Sequence, residues 1–470
     1  MTAAGVMVSM VGASWTAVAP VSAGTLVSAT ANSAVRASVI RDAGVNSVSC
    51  APGGACAAGG QYVDASSRAE AFVLTEMNGQ WGTAIEVPGL AALGAKYSSV
   101  TSVSCAAGGR AAGGFYKDDT RGDHAFVANE RNGRWSRLTK VLSARKAPPA
   151  HNVVSLSCSG PGNCTAGGGK PAFVVSEVNG RWGRAHQFGA KGNDGNAKVS
   201  CASVGNCTAS WNQFVVSERN GRWGKPMALP GLSAHAHVDS GLGIESISCT
   251  SGGNCLVGGL YPSSHRNSAF VASERNGHWG NAMEITGYLA LNQTGYGLLA
   301  SVSCVSVGNC VAGGSYTADA DFAGGVYEPF VASERNGHWG KAIEVPGIPP
   351  PGNPLCEPDS SACVAGQVLT VSCGWGGTCA AGGRYDTPAI SGEAAFVTVY
   401  KNGRWTKVTQ IPGLEALDTA KHSSVRSVAC TPTGKCPAGG RYQATQIGPA
   451  FVADENNGAW GQAHTIRFRS

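Results

Sequence analysis

The 470-residue chain predicts an all-β fold, a β-propeller of about eight four-stranded antiparallel blades, and three observations lead there. One unit recurs eight times in a fixed order: Ser-Val-Ser-Cys, a Gly-rich turn, Cys-x-Ala-Gly-Gly-x-Tyr, a variable loop, Phe-Val, then Asn-Gly-x-Trp. The Asn-Gly link is the strongest two-residue hairpin signal, because a type I′ turn needs positive φ at both central positions. No unit holds a 3.6-residue apolar pattern of useful length, so the repeats read as strands throughout. Four-stranded meanders in series make a propeller; seven blades plus an extra partial unit is the alternative count.

The units begin at Cys50, Cys105, Cys158, Cys201, Cys249, Cys304, Cys373 and Cys430, and their spacing runs from the low forties to about seventy residues. Each is read as four strands. Ser-Val-Ser-Cys alternates small polar and apolar residues, Cys-x-Ala-Gly-Gly-x-Tyr follows, and Phe-Val-Ala-Ser-Glu and Trp-Gly-x-Ala-x-Glu-Val flank the Asn-Gly turn. Within Glu334-Arg335-Asn336-Gly337-His338-Trp339 the turn sets Glu334 opposite Trp339, and alternation puts Phe330, Ala332, Glu334 and Trp339 on one face. Phenylalanine and tryptophan are then the packing layer between blades, with the glutamate stem along the indole near the rim. A catalytic carboxylate is expected once, whereas this glutamate occurs in seven of eight units, Tyr400 replacing it in the seventh. The motif reads as architecture.

Before the repeats, residues 1–30 resemble a secretory leader: Met1 to Ala19 has no charged side chain, and Val21-Ser22-Ala23 precedes Gly24, though a basic first segment is missing. Residues 31–44 are a linker or closing strand, and 45–470 the propeller. Ring closure is expected from Thr465 to Arg469 pairing with residues 34–44.

The chain has 17 cysteines. Seven units carry two with five residues between them: Cys50/Cys56, Cys158/Cys164, Cys201/Cys207, Cys249/Cys255, Cys304/Cys310, Cys373/Cys379 and Cys430/Cys436. A hairpin with so short a loop brings two Cα atoms to disulfide distance, about 5.5–6 Å, and closing it stabilises a blade by about 2 kcal/mol in the chain-entropy model. Zinc fits less well, since structural sites favour closer pairs and need four ligands together. Cys356 and Cys363 lie in what reads as a decayed copy of the first two strands, inserted near 350–370, and are expected to pair with each other. Cys105 is the odd thiol, with Arg110 in its partner's place in a shorter loop. It is either buried and inert or open to an intermolecular bond. Disulfides and leader together point to a secreted protein.

The Ser-Val-Ser-Cys…Cys-x-Ala-Gly-Gly…Phe-Val-x-Ser-Glu-x-Asn-Gly-x-Trp-Gly unit, over residues 45–470, resembles the tandem repeats of secreted, largely uncharacterised proteins of high-GC Gram-positive bacteria. More distantly its turn is similar to the Asp-box turn of sialidase-like and photosystem-assembly-type propellers. Here Ser333 to Trp339 is one residue shorter and lacks the Asp, and a sialidase arginine triad and Tyr/Glu pair do not map onto the chain. The resemblance implies the fold and not the activity.

Charged residues make up 14% of the chain and the net charge of +6 is spread thinly, so a basic stripe for nucleic acid is missing. No segment after the leader has 18 uninterrupted apolar residues, so no membrane span is expected. No Gly-x-Ser-x-Gly elbow, P-loop or His-Glu-x-x-His appears, and no cofactor is expected. Function then sits where repeats differ. Trp211, at the place of the Gly-Gly pair, and Trp375, inside a Cys–Cys loop, offer rings for a sugar or a partner, with local packing as the alternative for both. Arg384 and Arg441, each before the second-strand Tyr, add polar contacts at one end of the channel. His235-Ala236-His237-Val238-Asp239, Asp319-Ala320-Asp321 and Arg121-Gly122-Asp123 read as solvent loops. The expectation is a monomeric, non-enzymatic binding or scaffold module for a polysaccharide or a protein. A carbohydrate-active hydrolase or lyase and a purely structural surface protein are the alternatives.

Overall fold

The computed structural model describes residues 40–469 apart from 120–121, 144–148, 189–194, 233–242, 251–252, 264–265, 319–325, 349–362, 365, 375–376, 387–391, 445–447 and 457. Every predicted unit folds into its own group of antiparallel strands. Repeat 6 shows the plan: Gly297–Ser306, Asn309–Ala318, Val326–Arg335 and Ile343–Glu344 pair in sequence, and the two-residue strand His338–Trp339 extends the hairpin tip. Asn and Gly of the tip have positive φ in repeats 1 to 7, for instance 49° at Asn336 and 83° at Gly337, which is the type I′ geometry expected. No helix among the described residues is long and apolar enough to cross a membrane.

Between consecutive repeats lies one apolar core. Phe330 and Ala332 pack with Leu256 and Val271 of repeat 5, while Val331, from the other strand face, packs with Val368 and Val371 of repeat 7. Eight such cores are present among the described residues, and one joins Val452 and Ile466 of repeat 8 to Val45 and Phe72 of repeat 1. The succession therefore closes on itself. The chain forms a β-propeller.

The Ser-x-Ser of the repeat explains how neighbouring first strands are joined. A first strand pairs with its second on one edge only, which leaves backbone groups on the other edge to be satisfied. Serines of the preceding repeat accept them: Val103 N–H donates to Ser47 Oγ and Cys105 N–H to Ser49 Oγ, each at 2.9 Å. Bonds of this type join every consecutive pair of repeats, a threonine (Thr370) taking one position, and Val48 N–H donates to Ser427 Oγ at 2.9 Å across the closure.

The Gly-Gly pair answers to close approach. A Cβ on Gly313 would sit 2.7 Å from Val368 Cγ1 of repeat 7, and one on Gly314 would sit 1.8 Å from the Leu298 carbonyl oxygen at the bulge of its own first strand. Only glycine admits both.

Closure differs from the expectation. Thr465 pairs with Phe451 of its own repeat, Ala84 N–H donates to Arg467 O at 2.7 Å and Arg469 N–H to Ala84 O at 2.9 Å, so among the described residues 40–44 none pairs with this tail. The tail thus takes the position that Pro88 or Pro346 takes between other repeats. Asp42 already belongs to the first strand of repeat 1, Asp42–Cys50. Of the predicted partial repeat, the described part is a two-residue strand, Cys363–Val364, pairing parallel with the third strand of repeat 6.

Candidate functional site

At the hairpin end of each repeat the third strand carries a buried acid directly opposite the tryptophan: Glu76, Glu130, Glu177, Glu218, Glu274, Glu334 and Glu455 face Trp81, Trp135, Trp182, Trp223, Trp279, Trp339 and Trp460. Tyr400 faces Trp405 in repeat 7. All seven glutamates are at most 4% exposed. The pairing is as the sequence predicts, but the acids lie in the interior and not along the rim. The indoles pack toward the preceding repeat, where Trp135, Trp182 and Trp405 donate Nε1–H to Thr75, Asn129 and Ser333 at 3.0–3.1 Å.

A buried carboxylate is costly unless a cation or several donors meet it. The residue after the acid in one repeat supplies the cation to the next: Arg131 to Glu177 (3.8 Å), Arg219 to Glu274 (2.7 Å) and Arg275 to Glu334 (3.7 Å). Asn129 adds a bond to Glu177 at 2.6 Å and Ser217 one to Glu274 at 3.1 Å. Burial pushes the carboxyls of Glu177, Glu274 and Glu334 above the usual range, and these arginines pull them back down. Where the preceding residue is Met77 or Asn456, a cation from the second strand or the turn before it substitutes: Arg110 pairs with Glu130, and Lys435 with Glu76 at 3.0 Å. Glu455 receives the Gly458 N–H, and Lys401 draws its raised carboxyl down.

Two interfaces break this rule. Between repeats 6 and 7 the acid is replaced by Tyr400, and Arg335 stands over its ring at 5.9 Å with no carboxylate partner among the described residues. A cavity of about 690 Å³ opens there, lined by Ser306, Asn309, Val311, Arg335, Gly377 and Tyr400. Between repeats 3 and 4 the arginine is replaced by Val178, and a cavity of about 420 Å³ reaches Glu218. The corresponding slot between repeats 5 and 6, where Arg275 reaches Glu334, keeps only about 10 Å³.

The structure places the residues singled out by sequence as follows. Trp211 is fully buried, its ring stacked on Phe188 at 4.9 Å with 10° between planes and close to Phe214 at 5.8 Å. The indole is packed, at a glycine position in a repeat whose first strand pairs only from Lys198↔Ser210 onward, so that no first-strand residue faces Trp211 in the register. Trp375 lies outside the described residues, in the Cys373–Cys379 loop whose Gly377 and Cys379 line the larger cavity. Arg384 and Arg441 both lie near enough to Arg426 for their charges to act on it. Arg384 pairs with Glu393, Arg426 donates to Asn46 Oδ1 at 3.2 Å, and burial followed by Arg441 lowers the Arg426 pKa. His235, His237, Asp239, Arg121, Asp319 and Asp321 lie outside the described residues. No group of three or more metal-ligating side chains is found among the described residues.

Among the described residues seven disulfides are present, Cys50–Cys56, Cys158–Cys164, Cys201–Cys207, Cys249–Cys255, Cys304–Cys310, Cys373–Cys379 and Cys430–Cys436. Their Cα atoms are 3.9–4.0 Å apart, closer than expected, because the two cysteines are direct cross-strand partners in the register. Cys356 is outside the described residues, so its predicted bond to Cys363 is too. Cys105 is free and buried, and Arg110 is its register partner. Burial pushes the thiol up to about 12, the environment that the inert alternative calls for. The cation rule and its two exceptions were missed by sequence reasoning; the signal was the column after the acid, basic in repeats 2, 4, 5, 6 and 7 and Val178 in repeat 3.

No protein-family signature matches the chain, and no curated protein matches it in sequence. Several solved structures are similar to it at low identity. Chaetomium thermophilum Sqt1 bound to the N-terminus of ribosomal protein L10 is 10% identical, with 85% of this chain and 96% of that one covered and a TM-score of 0.49. The β-propeller domain of the Trilobed protease from Pyrococcus furiosus is 7% identical, covering 78% and 96%, with a TM-score of 0.39. YCF48 bound to D1 peptide is 10% identical, covering 69% and 87%, with a TM-score of 0.36.

Proposed function

We propose that the chain is a secreted, non-enzymatic binding module that takes an acidic polysaccharide in the slot between repeats 6 and 7. The observation that carries this is the cavity of about 690 Å³ beside a guanidinium, that of Arg335, which has lost the buried acid its counterparts bind. Its volume is that of a small-ligand site. A guanidinium receives a carboxylate or sulfate through paired N–H donors, while Ser306, whose Oγ accepts from Asn309 Nδ2 at 3.0 Å, can donate its hydroxyl proton to a sugar oxygen. The leader-like residues 1–30 and seven disulfides support export.

Affinity electrophoresis of the folded protein in gels of uronic-acid polymers and of neutral glucans tests the reading. Retardation by the uronic polymers alone is expected, lost in Arg335→Ala and partly kept in Arg335→Lys. Equal retardation in neutral gels, or by the alanine variant, refutes it, and binding to an acidic peptide alone turns the reading to a protein ligand.

One observation favours an enzyme as second reading. Asp386 and Glu393 are cross-strand partners beside Arg384, and desolvation together with Glu393 pushes Asp386 up to about 6. A carboxyl raised in this way beside a second acid suits glycoside cleavage. Release of reducing ends or unsaturated sugars from those polymers, abolished by Asp386→Asn, decides for it.

A further inference from the structure

We propose that the slot between repeats 3 and 4 is a socket for an arginine side chain of a partner protein, with Glu218 as the acid on its floor. The other interfaces show what this position is built to hold. Arg131, Arg219 and Arg275 each leave the end of one third strand and reach the buried glutamate of the next repeat, at 3.8, 2.7 and 3.7 Å. Repeat 3 ends its third strand in Val178 instead, which is 58% exposed and carries no donor. The glutamate it should serve is still in place and still buried, Glu218 being 4% exposed and opposite Trp223.

Among the described residues nothing replaces the missing cation. Neither of the substitutes used elsewhere is present, since the position of Arg110 in repeat 2 is Cys207 in repeat 4, and that of Lys435, which serves the repeat after its own, is Asn163 in repeat 3. Among the described residues Glu218 has no ion pair and no hydrogen bond to its carboxylate, and burial alone acts on it. Arg184 lines the same cavity but donates to the Ser143 carbonyl at 3.0 Å, and His186 packs against Phe188.

The space left is the right kind of space. The cavity of about 420 Å³ runs from Glu218 past the half-buried Trp223 to Val178 and Val204, and both valines are exposed, at 58% and 53%. An arginine lays its methylene stem along apolar surface and buries its planar head against an acid and an aromatic face. A lysine would fit less well, since its compact ammonium is more strongly hydrated. A divalent cation would find one carboxylate and no second acidic ligand from the opposite wall other than Glu177, which Arg131 and Asn129 already occupy. The site is thus of opposite polarity to the Arg335 slot and independent of it.

The test uses the full folded chain and the blocked tripeptide Gly-Arg-Gly, with Gly-Gln-Gly as its uncharged analogue, followed by NMR shifts of the Trp223 indole and by calorimetry. Saturable binding of the arginine peptide is expected, about tenfold or more tighter than the glutamine analogue. Glu218→Gln should abolish the difference. Val178→Arg should abolish it too, while raising the thermal midpoint, because the chain then plugs its own socket; a folded, more stable protein that no longer binds separates occupancy from damage. Arg335→Ala should leave the peptide affinity unchanged, so this inference and the polysaccharide reading stand or fall apart. No saturable binding by the wild type overturns the proposal. So does Val178→Arg binding like the wild type, or saturable Ca²⁺ binding at Glu218 without any for the peptide.

Discussion

Replacing Gly439 by alanine should destabilise the protein through the joint between its last and first repeats. The added Cβ would stand 2.6 Å from Val45 Cγ1 and 2.7 Å from Val48 Cγ2. Neither valine has room to retreat, at 0% and 5% exposure in the core shared by repeats 8 and 1. Overpacking of this kind costs about 1–3 kcal/mol. Alanine recovers roughly 0.4–1 kcal/mol of it by restricting the unfolded chain, which leaves a net loss of about 1–2 kcal/mol. Urea unfolding with the disulfides intact measures it. Gly53→Ala is the control, an exposed glycine with nothing within 4 Å of its would-be Cβ, and should change stability by less than about 0.5 kcal/mol. Val45→Ala alone removes two buried methyls and costs about 1.5 kcal/mol or more. In the double variant the two changes complement each other, so the combined loss should fall short of the sum by about 1 kcal/mol. If Gly439→Ala is neutral, or the two losses simply add, repeat 8 does not close on repeat 1 in the way described.

Cys105 should resist thiol reagents in the native protein and react fully after unfolding, since its thiol is buried and held up to about 12; stoichiometric labelling at pH 8 without denaturant would contradict this. Burial alone raises the Glu218 carboxyl, so its neutral form is favoured in the fold relative to the unfolded chain. The wild type is then least penalised below the ordinary carboxylate range and loses stability as pH rises through the raised value. Glu218→Gln should therefore match the wild type near pH 4 and exceed it by about 1–3 kcal/mol at pH 7. A stability difference that stays flat over that range would show that the carboxylate is not desolvated.

The strands, the hairpin tips and the seven sulfur pairs were legible because each depends on residues within ten or so positions of one another. Asn336-Gly337 dictates its own turn, and Cys304 and Cys310 face each other once that register is set. Contacts between repeats were harder to read. The serines of Ser-Val-Ser-Cys are visible as alternation, but that they accept from the next repeat depends on which strand lacks a neighbour. The glutamates likewise looked like rim residues, because their partner comes from the preceding repeat's strand end, forty to seventy positions away. Trp211 left two readings open in sequence, a ligand face or local packing; which holds depends on a first strand that starts only at Lys198 and on the ring of Phe188.

Each repeat supplies all four of its own strands, and the joint from last to first uses the same serine acceptor and the same carbonyl as the other joints. The positions of the two chain ends are therefore arbitrary with respect to the circle. A gene cut in the link after any repeat, with residue 469 spliced through a short linker to residue 40, should encode a circularly permuted molecule of the same architecture.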